Sequence, residues 1–140
     1  ATGEVRESIS NYAYSNLPHI LPILLSLSGS LFIYNGVINR SKWYNIVIGC
    51  LLIAIAFTPH LDYPIMHYIF AGVFFIFSAF VMIFYSSKKQ RLMKIIAASI
   101  IIISVFASFV LKLFSIFIAE WIAIIPISIH FLGESLGKID

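Results

Sequence analysis

The sequence is divided into long apolar runs by short breaks that hold most of its charged residues. Apolar residues make up 61% of the 140 residues, charged residues only 11%, and the mean hydropathy is +1.01. A soluble domain would carry roughly a quarter charged residues. Because the outer surface as well as the core must be apolar, the solvent that suits this pattern is lipid. The sequence therefore predicts an all-α fold, a polytopic transmembrane helical bundle.

Five apolar runs are candidates for helices that cross the membrane. We predict a single transmembrane domain over residues 1–140, with helices at about 17–38, 43–58, 65–85, 95–112 and 116–133. About 20 residues of α-helix cross the hydrocarbon core, so the second run is short and depends on its flanking residues. A β-barrel is not favoured, because barrel strands alternate apolar and polar residues and the run SIIIISVFASFVL does not.

The positions of the basic residues predict how the chain is oriented. Most of them follow the first, third and fifth runs, and the two other breaks hold only Lys112. Positively charged loops stay on the cytoplasmic side. We therefore expect five crossings, with the N-terminus of this chain outside and its C-terminus cytoplasmic. The basic residues that set this orientation are Arg40, Lys42, Lys88, Lys89, Arg91, Lys94 and Lys138.

Ionisable residues at the outer ends of the predicted helices form the candidate site. A charge at membrane depth is expensive unless it is paired or hydrated, so such residues mark functional sites by default. The break between the second and third runs, on the predicted outer side, holds His60 and Asp62. His130 lies deeper, towards the cytoplasm. We expect a polar pocket in the outer half of the bundle. Its candidate ligand-binding residues are His19, His67, Lys112, Glu120 and His130.

Structural roles are the alternative for each of these residues. Lys112 and Glu120 flank the turn between the last two helices, where they would form an ion pair near the surface. His19 and His67, close to an interface, would be hydrogen-bonded packing residues. His130 would hydrogen-bond locally. The sequence leaves both interpretations open.

Metal binding is the sharpest alternative chemistry. Two histidines and a carboxylate are typical of a catalytic zinc site that keeps one position open for water. The candidate ligands, His19, Asp62, His67 and Glu120, lie on different segments, so no spacing supports the set. A haem held by His67 with His19 or His130 is the other possibility considered. The leading expectation is no cofactor.

Several function classes are not supported by any motif. The sequence has no nucleophile elbow, no nucleotide-binding loop and no HExxH pair. It has no soluble basic face, so we expect no nucleic-acid partner. Its one cysteine, Cys50, lies inside an apolar run and is expected to be a buried thiol.

Four stretches are spread over nearly the whole chain: GEVRESISNYAYS, YNG, HYIFAGVFF and AEWIAIIPISIHFLGES. They resemble motifs of a family of uncharacterised bacterial multi-pass integral membrane proteins. In that family, an R-x-SIS-x-YY stretch precedes a long helix that ends near Y-x-G, a later helix begins HY-x-x-A-x-x-FF, and the last helix carries a glutamate and ends near glycine. The matching positions are Arg6, Ser8, Ile9, Ser10, Tyr12, Tyr14, Tyr34, Gly36, His67, Tyr68, Ala71, Phe74, Phe75, Glu120 and Gly133.

The resemblance implies a bacterial inner-membrane location but no assigned activity. The family usually has a helix before the arginine, which implies a sixth helix in the intact protein. It also has an acidic residue where this chain has His19. This difference argues against a site shared with the family at this position.

We therefore expect a non-enzymatic multi-pass protein: a sensor, a binder of a small ligand or lipid, or a subunit of a membrane complex. The alternative is a metal-dependent lipid hydrolase with its site near the outer leaflet. The expected partners are membrane lipids, other membrane subunits or a second copy of the chain.

Overall fold

The computed structural model describes residues 7–85 and 88–139, and the regular secondary structure of this part of the chain consists of helices alone. Five α-helices follow one another in this part of the chain, and the predicted all-α fold is confirmed. They are α1 (Ile20–Ile38), α2 (Tyr44–Phe57), α3 (Pro64–Phe84), α4 (Arg91–Phe109) and α5 (Ile116–Ser135). Short 3-10 helices cover Ile9–Tyr14 and Arg40–Lys42. Arg6, part of the family motif, lies outside the described residues.

Four of the helices, α1, α3, α4 and α5, are long and apolar enough to cross a membrane. The remaining one, α2, has 14 residues. At 1.5 Å per residue it is about 21 Å long, less than the ~30 Å of a hydrocarbon core. Large apolar side chains stay exposed along the helices, for example Leu31 at 61% and Ile103 at 64%. Such an outward apolar surface is consistent with a membrane location.

The fourth helix differs most from its predicted bounds. It begins at Arg91 rather than near residue 95, and it ends at Phe109 rather than near residue 112. Gln90 and Lys112, on either side of it, have left-handed backbones with φ of 55° and 52°. Lys94 therefore lies inside α4, and only 1% of it is exposed. Its expected place in an exposed basic loop is wrong.

The chain packs into two compact units, which we call the N-terminal unit and the C-terminal unit. The N-terminal unit contains Ser10–Phe74, and so holds α1, α2 and the first half of α3. The C-terminal unit contains Glu7–Ile9 and the chain from Phe75 onwards, and so holds the second half of α3, α4 and α5.

Glycines bring α1 and α2 of the N-terminal unit into close contact. A Cβ atom added to Gly29 would lie 2.7 Å from the carbonyl oxygen of Gly49. Helices in lipid associate through such small residues, because the two backbones can approach closely. The side-chain amide of Asn45 donates to the side-chain oxygen of Asn35 at 3.2 Å. Cys50, expected to be buried, is exposed on α2.

In the C-terminal unit, α4 and α5 pack together through faces rich in small residues. Six residues connect the two helices, and a hydrogen bond of 3.2 Å from the Ser108 hydroxyl to the Phe114 carbonyl holds this turn. The connection is short, so the two helices form an antiparallel hairpin. The small residues buried on these two helices are Ala98, Ser104, Ala107 and Ser108 on α4, and Ala119 and Ala123 on α5.

Candidate functional site

Polar and aromatic side chains surround the loop between α2 and α3 in the N-terminal unit. The loop starts where Thr58 turns its hydroxyl back to the Ala54 carbonyl at 2.7 Å. Pro59 follows, and its ring disfavours a helical backbone at the residue before it. Pro64 then begins α3, a position where proline loses no helical hydrogen bond. The side chains gathered here, which we call the loop cluster, are those of Tyr14, His60, Asp62 and His67.

Tyr14 fastens the loop to the 3-10 helix Ile9–Tyr14. Its hydroxyl donates to Oδ2 of Asp62 at 3.1 Å and accepts from the backbone N–H of Leu61 at 2.9 Å. Burial raises the pKa of Tyr14, and Asp62 adds to the rise while the Leu61 N–H opposes it. The hydroxyl therefore stays protonated at neutral pH and keeps its donor role.

His60 lies beside Tyr14 and His67. Its ring centroid is 5.5 Å from that of Tyr14 in an edge-to-face arrangement, and 5.9 Å from that of His67. The hydroxyl oxygen of Ser10 lies 3.4 Å from its Nδ1. Burial lowers the pKa of His60, and the charge of Asp62 opposes this shift in part. His60 is therefore mainly neutral at pH 7.

His67 is the buried member of the loop cluster, with 4% of its surface exposed. Its Nδ1 lies 2.7 Å from the carbonyl oxygen of Thr58. A carbonyl oxygen can only accept, so Nδ1 carries the proton, and Nε2 of the neutral ring is an acceptor. This bond joins the end of α2 to the first turn of α3.

The chemistry of the loop cluster favours ligands that donate hydrogen bonds or carry positive charge. Asp62 supplies an exposed carboxylate, and the aromatic ring of Tyr14 lies near it. Residues 58–67 include no lysine or arginine that could neutralise this carboxylate or bind an anion. Carboxylates and aromatic faces are the groups by which proteins bind organic ammonium ions.

The candidate zinc ligands do not form a group of the kind that a metal needs. Within residues 7–85 and 88–139, no three or more histidine, cysteine, aspartate or glutamate side chains are placed so that they could hold a metal ion. The structure does bring His60 close to His67 and to Asp62, in the N-terminal unit. His19, at the start of α1, is exposed, and its side chain makes no capping hydrogen bond.

The side chain of Glu120 binds the backbone of the segment 7–9, which lies far from it in the sequence. In the C-terminal unit its Oε2 accepts from the backbone N–H of Ile9 at 2.5 Å. Beside it, the N–H of Phe117 donates to the carbonyl oxygen of Glu7 at 3.0 Å. Together these bonds fasten residues 7–9 to the first turns of α5. Lys112, considered above as its ion-pair partner, lies exposed in the turn after α4.

His130 lies in the interior of the C-terminal unit rather than on the loop cluster. Only 2% of it is exposed, and its ring meets that of Phe131 edge to face, with centroids 4.9 Å apart. Four residues further along α5, Glu134 is also buried.

Sequence reasoning missed two residues that the loop cluster depends on. Tyr14 was noted only as part of a motif, although a tyrosine shortly before a span could have been tested as a partner for the outer loop. Thr58 acts through its carbonyl group, which no side-chain pattern reveals.

Comparison with known proteins places the chain in a family without giving it an activity. No curated protein and no solved structure matches it. The sequence model of a family of unknown function (DUF7103) matches residues 1–135, which is almost the whole chain. The chain therefore belongs to DUF7103, a family of unknown function.

Proposed function

We propose that this protein is a multi-pass protein of the bacterial inner membrane that binds an ammonium-bearing group at the loop cluster. The group is carried either by the headgroup of an outer-leaflet lipid or by a small molecule. The protein then acts as a binder or sensor and not as an enzyme. The observation that carries this proposal is the exposed Asp62 carboxylate, held by Tyr14 beside His60 in a loop without basic residues.

In this proposal, the exposure of each side chain of the loop cluster decides whether it contacts the ligand or positions another residue. Asp62 is exposed and His60 is partly exposed, so these two contact the ligand. Tyr14 and His67 are positioning residues, because their hydrogen bonds go to Asp62, Leu61 and Thr58. The ligand's ammonium group pairs with the carboxylate, and its N–H groups donate to the neutral imidazole.

The position of the loop suits a ligand in the outer leaflet. By the distribution of basic residues, the loop between α2 and α3 is on the outer side. Because α2 has only 14 residues, the loop cluster would lie at the depth of lipid headgroups and not beyond them. A lipid could then reach it without leaving the bilayer.

The orientation can be tested with single cysteines in a Cys50→Ser background. We expect Leu61→Cys to react with an impermeant maleimide added outside intact cells. Ser41→Cys and Lys89→Cys should react only after the cells are opened. Labelling of Lys89→Cys from outside would contradict the proposed topology.

Binding can be tested on the purified protein in nanodiscs that contain phosphatidylglycerol alone or mixed with phosphatidylethanolamine. We expect native mass spectrometry to show phosphatidylethanolamine retained by the unmodified protein, and retention reduced at least about fivefold by Asp62→Asn, the loss of about 1 kcal/mol. Glu7→Gln removes the same charge from an exposed residue outside the loop cluster, and is the matched control.

Two further outcomes separate the sources of the ligand. Displacement of the lipid by millimolar ethanolamine would show that the headgroup is what binds. Binding of ethanolamine with no preference for the lipid would indicate a small molecule. If Asp62→Asn binds as well as the unmodified protein and the Glu7→Gln control in both assays, the proposal is wrong.

A further inference from the structure

The interior of the C-terminal unit contains a set of buried ionisable residues that the proposed function does not use. Lys94 on α4 is 1% exposed, and His130 and Glu134 on α5 are 2% and 8% exposed. A buried charge is tolerated only when it is paired or strongly hydrogen-bonded, and this holds more strongly within a membrane. We infer that Lys94 and Glu134 form a buried ion pair between α4 and α5, with His130 beside it.

The register of the α4–α5 hairpin places these residues at the same level. Phe109 ends α4 and Ile116 begins α5, so the two lie on either side of the turn. Lys94 is fifteen residues before Phe109, and Phe131 is fifteen residues after Ile116. In an antiparallel hairpin Lys94 therefore lies level with Phe131, which is between His130 and Glu134 in terms of height along α5.

The direction of the side chains closes the remaining gap. In an α-helix the Cα–Cβ bonds tilt towards the N-terminus. The side chain of Lys94 therefore leans away from the turn, towards the level of Glu134. The side chain of Glu134 leans back towards the level of Lys94. The two charged ends converge, and the four carbons of lysine supply the reach.

The two residues also lie on the faces by which the helices pack. On α4, Lys94 shares its face with Ala98 and Ile101, spaced by four and then three residues. On α5, Glu134 continues the buried series Ile127 and His130. Each ion therefore ends a buried stripe, and the stripes meet in the hairpin.

The pair is expected to determine how the hairpin is aligned more than how stable it is. A well-packed apolar replacement is often as stable as a buried ion pair, whereas removal of one partner leaves an uncompensated charge. Lys94 and Glu134 thus favour one register of α4 against α5, since any slip by a turn would separate the charges.

A double-mutant cycle tests the pairing. We expect Lys94→Met and Glu134→Leu each to lower the thermal unfolding midpoint in detergent by about 10 °C, and the double variant to return close to the unmodified protein. Lys89→Met, which removes an exposed cation, is the control and should shift the midpoint little. Additive losses in the double variant would overturn the inference. If neither single variant folds, a folded double variant supports the pair and an unfolded one opposes it.

Thiol cross-linking gives a second readout that does not depend on stability. In a Cys50→Ser background, Lys94→Cys with Glu134→Cys should be joined by a short bifunctional thiol reagent. Met93→Cys with Glu134→Cys should not, because Met93 is at the same depth but exposed on another face of α4. Equal cross-linking of the two pairs, or none in the first, would overturn the inference.

Discussion

His67 donates from Nδ1 to the carbonyl oxygen of Thr58 over 2.7 Å, and this bond ties α3 to the end of α2. The donor is a ring nitrogen of a residue that is 4% exposed, so water cannot replace it easily. The bond determines the tautomer of His67 and restrains both ends of the loop that carries His60 and Asp62.

The effect of a substitution at His67 on stability should therefore depend on which ring nitrogen the new side chain imitates. His67→Asn places an amide N–H near the position of Nδ1 and should keep most of the stability. His67→Gln places its amide nearer to Nε2, leaves the Thr58 carbonyl without its donor and should cost about 1–3 kcal/mol. Thermal unfolding in detergent measures the difference. His19→Gln, at an exposed position, should change little, and equal losses for the two His67 variants would contradict the assigned bond.

The stability of the protein should fall at acidic pH in a way that depends on His60. Burial lowers the pKa of His60 in the folded protein below its ordinary value of 6.5. The unfolded chain then binds the proton more readily, so the stabilising effect is complete above about pH 6.5 and is lost as pH falls through the folded pKa. His60→Asn should flatten this part of the profile. Unfolding midpoints measured between about pH 5 and 8 for both proteins provide the test, and parallel profiles would show that His60 is not responsible.

Tyr14→Phe should release the loop while leaving the helices folded. It removes the hydroxyl that donates to Asp62 and accepts from Leu61, at an expected cost of about 1–2 kcal/mol. Amide hydrogen exchange at Leu61 should become faster, because its N–H loses its acceptor. Tyr34→Phe, on an exposed tyrosine of α1, is the control. Unchanged exchange at Leu61 would mean that the Tyr14 hydroxyl does not restrain the loop.

Gly29→Ala and Gly72→Ala should have opposite effects. A methyl group on Gly29 would come within 2.7 Å of the Gly49 carbonyl oxygen, a backbone atom that can move only if the helices separate. The expected cost is about 1–3 kcal/mol. A methyl group on Gly72 meets nothing within 4 Å, and alanine should gain up to about 1 kcal/mol of helix propensity. Unfolding midpoints compare the two, and a neutral Gly29→Ala would argue against the close α1–α2 contact.

The helical architecture was predictable from the sequence because apolar run length and charge spacing act locally. Each predicted run overlaps an observed α-helix, and the largest difference in bounds is at α4. There the cluster of basic residues suggested a loop, whereas Lys94 is inside the helix and buried. A hydropathy pattern records how polar a residue is but not whether a partner elsewhere in the chain compensates its charge.

The candidate site was predictable only in part, because its contacts are between segments distant in sequence. His67 and the neighbouring loop were identified from their position at helix ends. The partners of Tyr14 and His67 are set by tertiary geometry, and one of them is a backbone carbonyl. Neither interpretation of Glu120, as a ligand-binding residue or as an ion-pair partner of Lys112, included the Ile9 N–H, since any backbone N–H can serve as a donor.

The difference in length between α1 and α2 has a consequence for the surrounding lipid. In the proposed topology, a helix of 14 residues beside one of 19 would create hydrophobic mismatch, which a bilayer meets by thinning locally. The length of the lipid acyl chains would then affect access to the loop cluster, because short chains would match the length of α2 and long chains would cover the loop. The thickness of the host membrane would thus regulate how readily a headgroup reaches Asp62.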